Sequence, residues 1–271
     1  MLTAVKNIDS LYNSGYLSTV DILGEHVHSE EDAAKAKLEY LNILDSIKTR
    51  YPIDLSVKVS QMGLDIDESL CEKNIEEIIL NAGTHTVRLD MEGSDYTQRT
   101  IDIGLKLHQK HKKPGIVLQA CLFRTADDVE TLIDKGVSVR ICKGAYNEPP
   151  EIAWQNMDQV RESFLKSAYS MLKCGCLPSI ATHDEYLIGK IIQFVKDEKI
   201  PAESFYFELL YGVRRDLQKI LLDKGYQVRI YVPYGKSWLP YTLRRLAERK
   251  ENILFVIKNM VLETLGIRKI H

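Results

Sequence analysis

Short runs of apolar, mostly β-branched residues alternate along the chain with longer charged segments that repeat apolar positions at the helical period. Eight runs of four to eight residues are apolar almost throughout their middles, which is typical of parallel strands covered on both faces. They cover residues 19–25, 53–60, 86–90, 115–120, 137–143, 179–182, 204–209 and 227–233. The segments between them predict helices over residues 29–50, 68–82, 96–111, 126–135, 151–173, 185–198 and 213–224.

Helix-boundary residues agree with these positions. Ser29 followed by Asp32 resembles a capping box, and glycines stand where three helices should end, at Gly83, Gly136 and Gly225. Strand starts recur about every 20–40 residues, as expected for repeated βα units. We therefore predict an α/β protein built as one closed (β/α)8 TIM-type barrel. The competing fold, a doubly wound open sheet, usually carries a Gly-x-Gly-x-x-Gly turn, and the chain has none.

No linker rich in proline, glycine or serine divides the chain, so residues 1–271 are predicted to form a single domain. A short lead-in, residues 1–18, precedes the first predicted strand. Two further helical stretches, residues 236–249 and 251–265, follow the eighth. An extra helix after the last strand commonly shapes the mouth of such a barrel, so we expect a C-terminal helix over the mouth here.

The composition is that of an ordinary globular protein. The 271 residues include 38 acidic and 36 basic side chains, for a formal net charge of −2. This balance gives no electrostatic footprint for nucleic acid, which is not expected as a partner. The N-terminus lacks the apolar core and cleavage site of a secretory leader. No apolar run approaches the ~18 residues that a membrane span needs, so a soluble protein is expected.

The five cysteines form no Cys-x-x-Cys pair, and their odd number fits reduced thiols in the cytosol. Cys174 and Cys176 are interpreted as two small apolar loop residues, and a redox-active pair is the less favoured alternative.

Almost every predicted strand ends in a charged or hydrogen-bonding residue. Active sites of α/β barrels lie at these carboxyl ends and in the loops that follow. The residues there are Glu25, Lys58, Asp90, Gln119, Arg140 with Lys143, His183 with Asp184, Glu208 and Tyr231. A purely structural barrel would mostly carry turn residues at these positions. We therefore expect an active site at this rim.

Basic side chains dominate the candidate site. Five of them can face one mouth, with three acidic counter-charges: Lys58, Arg140, Lys143, Arg244 and Arg245, with Glu25, Asp90 and Glu248. Such a mouth suits one or two anionic ligands, because arginine holds a carboxylate by paired hydrogen bonds and lysine acts as a point charge. No Ser-His-Asp order or Gly-x-Ser-x-Gly elbow supports acyl transfer. No histidine or cysteine spacing fits zinc, so we expect no metal.

Several segments carry recognisable motifs. Residues 139–146 read Val-Arg-Ile-Cys-Lys-Gly-Ala-Tyr, and residues 231–235 read Tyr-Val-Pro-Tyr-Gly, followed by Trp238, Tyr241, Arg244, Arg245 and Glu248. Shorter blocks occupy residues 21–25, 56–64, 90–92, 118–120 and 181–183. The first resembles the Arg-x-x-Lys-Gly-Ala-Tyr signature of proline dehydrogenases, the second their C-terminal motif, and the others the intervening blocks in order.

The resemblance implies a flavin-dependent (β/α)8 barrel that oxidises L-proline to Δ1-pyrroline-5-carboxylate, the first step of proline degradation to glutamate. FAD is the implied cofactor, and a quinone is the implied electron acceptor. A cytoplasmic protein would need a peripheral contact at the inner face of the membrane to reach such a quinone.

On the substrate side, the resemblance implies that Lys58, Arg244 and Arg245 bind the proline carboxylate. Glu25 would pair with Arg244, and Asp90 with Tyr231. Leu210, Tyr146 and Tyr241 would pack around the pyrrolidine ring. The implied catalytic set is Lys58, Asp90, Arg140, Tyr231, Arg244 and Arg245.

On the cofactor side, Arg140 would point into the barrel beneath the flavin N5, and Gln119 would lie against the polar edge of the ring. The rest of the FAD site would be lined by Lys143, Gly144, Ala145, Thr182, His183 and Glu248. Period-2 alternation puts Arg140 and Lys143 on opposite faces of a strand, so both can reach FAD only if the strand ends by Cys142. The alternative is a buried Arg140 that pairs with a carboxylate such as Asp90 or Glu208.

The chain departs from the family pattern at four places. Asn147 stands where many relatives have Trp, Asp184 replaces a common Asn, and Glu208 stands where Gln is frequent. The N-terminal helical segment that usually precedes the first strand is expected to be nearly absent. These departures bear on the polarity around the cofactor more than on the reaction.

Three other functions stay open. Lys58 or Lys143 could form a Schiff base in a lyase if desolvation favoured the neutral amine. A methylenetetrahydrofolate reductase-like flavin barrel would be reduced by NADH rather than by proline. A non-catalytic barrel that binds a partner protein would hold neither FAD nor proline.

Overall fold

The structure, a computed structural model, describes residues 2–47, 51–112 and 114–235. Eight parallel strands form a closed barrel in chain order, and β1 pairs with β8 to complete it. The strands are β1 Leu17–Ile22, β2 Asp54–Lys58, β3 Thr86–Asp90, β4 Gly115–Gln119, β5 Val139–Cys142, β6 Ser179–Ala181, β7 Tyr206–Leu210 and β8 Val228–Tyr234. The helices are α1 Leu2–Asn13, α2 Glu30–Ile47, α3 Glu68–Asn81, α4 Ser94–His111, α5 Thr125–Ile133, α6 Met157–Cys174, α7 Glu185–Asp197 and α8 Arg215–Asp223, with a 3-10 turn at Ala202–Ser204.

The closed barrel confirms the predicted fold class. Each of the eight predicted strands overlaps an observed one, although β1 and β2 end earlier than predicted, at Ile22 and Lys58. Local chemistry explains the helix starts: the Ser29 hydroxyl accepts a hydrogen bond from the Asp32 amide at 3.1 Å, as a capping box requires. The prediction of a helix from residue 151 is wrong, because α6 begins at Met157 after the Asn156 cap.

The lead-in forms a helix, so the expectation that the N-terminal helix is nearly absent is wrong. Helix α1 buries Ile8, which is 1% exposed, in the apolar cluster around the first three strands. Its Asp9 accepts a hydrogen bond from the Tyr51 hydroxyl at 2.5 Å, which ties the helix to the segment before β2. The predicted helices over residues 236–249 and 251–265, including the one expected over the mouth, lie outside the described residues.

A disulfide joins Cys174 and Cys176, so the expectation of five reduced cysteines is wrong for this pair. Helix α6 ends at Cys174, and Gly175 adopts a left-handed conformation with φ of +73°. That turn leaves the two Cα atoms 5.5 Å apart, a separation that a disulfide can bridge. Within the described residues, no helix is both long and apolar enough to cross a membrane.

Candidate active site

The inner face of the barrel is polar, which distinguishes it from barrels whose interior is filled by branched apolar side chains. On β2, Asp54, Ser56 and Lys58 alternate with Leu55 and Val57, and all five are buried. Successive side chains of a strand point to opposite faces, so one set faces the helices and the other faces the barrel axis. Among the described residues, four carboxylates and four cations meet inside: Asp21, Asp54, Asp90 and Glu208 with Lys58, Arg88, Arg140 and Arg229.

Asp54 holds three arginines at the amino-terminal end of the barrel. Its Oδ2 lies 2.8 Å from Arg88 Nε, 2.8 Å from Arg229 Nη1 and 3.4 Å from Arg140 Nη2. Burial alone would raise the pKa of the Asp54 carboxyl, but the charges of Arg88, Arg229 and Arg140 lower it below its ordinary value. Asp54 is therefore an ionised counter-ion at the base of the interior.

Arg140 occupies the middle of the barrel and bonds to residues of three other strands, β7, β2 and β1. Its Nε donates to Glu208 Oε2 at 2.8 Å, its Nη1 to Ser56 Oγ at 3.0 Å and its Nη2 to Thr19 Oγ1 at 3.3 Å. Burial by itself would lower the pKa of Arg140, but the carboxylates of Glu208, Asp54 and Asp90 raise it. The guanidinium is thus a permanently charged group with a fixed orientation.

A third group of charges lies at the carboxyl end, where the mouth opens. The Lys58 ammonium donates to Asp21 and lies 3.8 Å from Asp90 Oδ2. The same Asp90 oxygen accepts a hydrogen bond from the Tyr231 hydroxyl at 2.9 Å, which is the pairing that the resemblance implies. Asp21 is fully buried, and burial raises its pKa although the Lys58 charge lowers it. Its Oδ2 has no hydrogen-bond partner among the described residues.

Lys143 stands in the loop after β5 rather than on the strand. Strand β5 ends at Cys142, which confirms the condition under which Arg140 and Lys143 can both reach one ligand. The Lys143 ammonium lies 2.6 Å from Asp184 Oδ2, and Arg161 Nε lies 2.9 Å from the same oxygen. Asp184 also caps α7 by accepting from the Tyr186 amide. Asp184 therefore joins two cations at the amino-terminal end of a helix and is itself the anion that this end holds.

The loop from Lys143 to Ala145 is held against β4. Gln119 accepts a hydrogen bond from the Ala145 amide at 3.3 Å and donates to the Glu92 carbonyl at 3.0 Å. Gly144 has φ of +105°, and a Cβ there would overlap with the sulfur of Cys121. Only glycine fits this position, so packing alone requires Gly144, whether or not a ligand binds beside it.

Thr182 and His183 arrange the loop after β6. Thr182 Oγ1 accepts a hydrogen bond from the Asp184 amide at 3.1 Å, and His183 Nε2 accepts from the Leu210 amide at 3.0 Å. Burial, with smaller contributions from the charges of Arg214 and Lys143, lowers the pKa of His183 to about 4. His183 is therefore a neutral imidazole that links the ends of β6 and β7.

Protonation of His183 should destabilise the fold in acid. The unfolded chain binds the proton with the ordinary pKa of 6.5 and the folded chain only near 4, so the free energy of unfolding falls as pH falls between these values and is unaffected above them. Denaturant titrations should show a loss of about 1–2 kcal/mol by about pH 4.5, allowing for partial screening of the ring by solvent. The loss should disappear in His183→Gln and persist in His28→Gln, at an exposed position. If the free energy of unfolding of His183→Gln fell with pH as steeply as that of the wild type, His183 would not be the group responsible.

The other predicted site residues are distributed as follows. Glu25 and Tyr146 lie half-buried in the loops after β1 and β5, and Leu210 is the last residue of β7, 39% exposed. Tyr241, Arg244, Arg245 and Glu248 lie outside the described residues.

The predicted counter-charges are confirmed in part. Asp90 lies 3.8 Å from Lys58 and 3.9 Å from Arg140, and Arg140 pairs with Glu208, the pairing considered as an alternative in the sequence analysis. The bond from Lys58 to Asp21 was not predicted. Sequence reasoning gave no role to four interior residues: Asp21, Asp54, Arg88 and Arg229. Polar residues at alternate positions of a buried strand, as in Arg88-Leu89-Asp90 and Arg229-Ile230-Tyr231, are the signal that could have found them.

Comparisons with known proteins identify the family of this chain. A family model described as proline dehydrogenase matches residues 4–258. The chain is 35% identical over 262 residues to proline dehydrogenase 1 of Bacillus subtilis (strain 168), covering 96% of this chain and 87% of that protein. It is 32% identical to the proline dehydrogenase of Deinococcus radiodurans, covering 96% and 86%.

A crystal structure of proline utilization A from Bdellovibrio bacteriovorus superimposes with a TM-score of 0.83 at 22% identity. The alignment covers 90% of this chain but only 31% of the larger protein. At this identity the likeness supports the fold alone. It agrees with the closed barrel described above.

Proposed function

Because the chain belongs to the proline dehydrogenase family, we propose that it oxidises L-proline to Δ1-pyrroline-5-carboxylate, with FAD as its cofactor and a quinone as the electron acceptor. The observation that carries the proposal is the cluster at the mouth, where the Lys58 ammonium lies 3.8 Å from an Asp90 carboxylate that holds the Tyr231 hydroxyl. A cation beside an oriented carboxylate and phenol suits a small ligand that carries both a carboxylate and an amine.

The substrate carboxylate is assigned to Lys58, together with Arg244 and Arg245 from the family motif. Lys58 is 1% exposed and held by Asp21, so its ammonium is oriented before the ligand arrives. The pair of Asp90 and Tyr231 would form one wall of the pocket. Glu25, Tyr146, Leu210 and Tyr241 would complete it.

The donor groups on the flavin side fit FAD. Lys143 and Arg161 share the Asp184 carboxylate at the start of α7, and the pyrophosphate would take the place of that carboxylate on one or both cations. The Gln119 amide lies buried beside the Gly144 turn. Thr182, His183 and Glu248 would line the remainder. The chemistry that FAD supplies when bound is acceptance of a hydride from proline C5. Arg140, as a fixed cation, would stabilise the negative charge that this transfer places near it.

The quinone acceptor is proposed from the family resemblance alone. It implies a cytoplasmic protein that makes a peripheral contact with the inner face of the membrane. The Schiff-base alternative is disfavoured by the ion pairs, because a nucleophilic lysine must be neutral. Lys58 donates to Asp21, and Lys143 lies 2.6 Å from Asp184, so both amines are engaged in ion pairs.

Acid precipitation tests the cofactor assignment. We expect one FAD per chain, bound without a covalent link, because His183, the histidine assigned to the FAD site, has its Nε2 engaged by the Leu210 amide. Acid should therefore release all the yellow colour into the supernatant, where chromatography identifies the flavin. Colour retained in the precipitate would contradict non-covalent binding, and a colourless protein would contradict the flavin itself.

A further inference from the structure

Glu208 is a buried carboxylate of the barrel interior to which the proposed function gives no role. It lies on β7, is 2% exposed and accepts hydrogen bonds from three side chains. Arg140 Nε donates to its Oε2 at 2.8 Å, Thr19 Oγ1 donates to its Oε1 at 2.7 Å, and the Ser179 hydroxyl donates to its Oε2. The carboxylate is thus held from three strands, β1, β5 and β6, and its own position is fixed.

Glu208 is also the carboxylate nearest to Arg140. The other two lie farther away, with Asp54 at 3.4 Å and Asp90 at 3.9 Å. Both are engaged elsewhere, because Asp54 is shared with Arg88 and Arg229 at 2.8 Å each. Within the described residues, the ion pairs of Glu208 involve Arg140 alone.

Two effects on Arg140 follow from this geometry. The hydrogen bond at Nε, the one nitrogen inside the side chain, sets the rotation of the guanidinium plane. The negative charge at 2.8 Å offsets much of the arginine's field in an interior where charges are poorly screened. A neutral partner of the same shape would preserve the first effect and remove the second.

We propose that Glu208 is a positioning residue that orients Arg140 and offsets its charge, and that it thereby lowers the reduction potential of the flavin. The inference rests on the proposed function, because it requires a flavin within the field of Arg140. A full cation favours the reduced, more negative ring, and a cation balanced by a buried carboxylate favours it less.

Glu208→Gln tests the inference, because glutamine keeps the shape and one acceptor oxygen but removes the charge. We expect the equilibrium constant for two-electron reduction of the bound flavin to rise about tenfold, which corresponds to about +30 mV. An anaerobic titration of flavin absorbance against a reference dye measures it. Ser179→Ala is the matched control, since it removes a neutral hydrogen bond to the same carboxylate and leaves the charge, and its potential should stay at the wild-type value.

Arg140→Met supplies the second arm of the test. It should lower the flavin potential. Adding Glu208→Gln to it should produce a much smaller rise than in the wild type, because a buried carboxylate that has lost its cation partner favours the neutral form, and glutamine then replaces a neutral group. An equal rise in both backgrounds would overturn the positioning role. An unchanged flavin potential in Glu208→Gln, with only a fall in thermal stability, would show that Glu208 has a structural role alone. Bleaching of the wild-type flavin by proline, read from the same samples, separates this failure from a failure of the proposed function.

Discussion

Asp54→Asn should lower the free energy of unfolding by about 3–5 kcal/mol, because it leaves buried arginines without their counter-ion. The carboxylate is fully buried, and Arg88 and Arg229 both lie 2.8 Å from it. A typical domain is stable by only about 5–15 kcal/mol, so the variant should unfold at a markedly lower urea concentration. Equilibrium urea denaturation followed by circular dichroism measures the effect.

Asp223→Asn is the control for this prediction. Asp223 pairs with Lys219 on the exposed face of α8, with both side chains more than half exposed. Solvent screens such a pair, so its loss should leave the denaturation midpoint nearly unchanged. Equal midpoints for Asp54→Asn and Asp223→Asn would show that the interior ion cluster does not stabilise the barrel.

Removal of the Lys58 charge should reduce kcat/KM for proline by roughly 30- to 1000-fold, the effect of about 2–4 kcal/mol for a lost charge-assisted contact. Lys58→Met alone would remove the cation that pairs with the buried Asp21 carboxylate. The double variant Asp21→Asn/Lys58→Met removes both charges, so its fold should survive. Steady-state kinetics with proline, alongside flavin content and melting temperature, measures the loss.

Asp21→Asn alone is the matched control, because it keeps the ammonium. We expect it to retain more of the activity than the double variant, since Lys58 can still meet the substrate carboxylate. A double variant with wild-type kcat/KM would refute the role of Lys58 in substrate binding. A double variant that loses its flavin as well would place Lys58 in the cofactor site instead.

The order of strands and helices could be predicted from the sequence because each βα unit is local. Its apolar run, its capping residues and its terminal glycine lie within about 40 residues of one another. Strand β5 was predicted over residues 137–143, and its end at Cys142 was stated only as the condition under which Arg140 and Lys143 can both reach one ligand. Helix α1 was not predicted, because its pattern of apolar positions is explained only by its packing against β1 and β8.

Most partners of the charged residues could not be predicted from local sequence patterns, because they are joined across the barrel. Arg140 bonds to Thr19, 121 positions away, and Asp54 bonds to Arg229, 175 positions away. Which strands face each other at one height depends on the register of every intervening pair. The sequence therefore indicated that cations line the mouth, and it offered Glu208 as an alternative partner of Arg140, but it did not indicate that Asp21 and Asp54 would balance the other cations.

The visible spectrum of the purified protein under anaerobic conditions, before and after addition of L-proline, tests the central claim most directly. The account predicts a yellow protein whose flavin band is bleached by proline and restored by a quinone, with no bleaching by NADH. A colourless protein, or a flavin band that NADH bleaches and proline leaves unchanged, would contradict it.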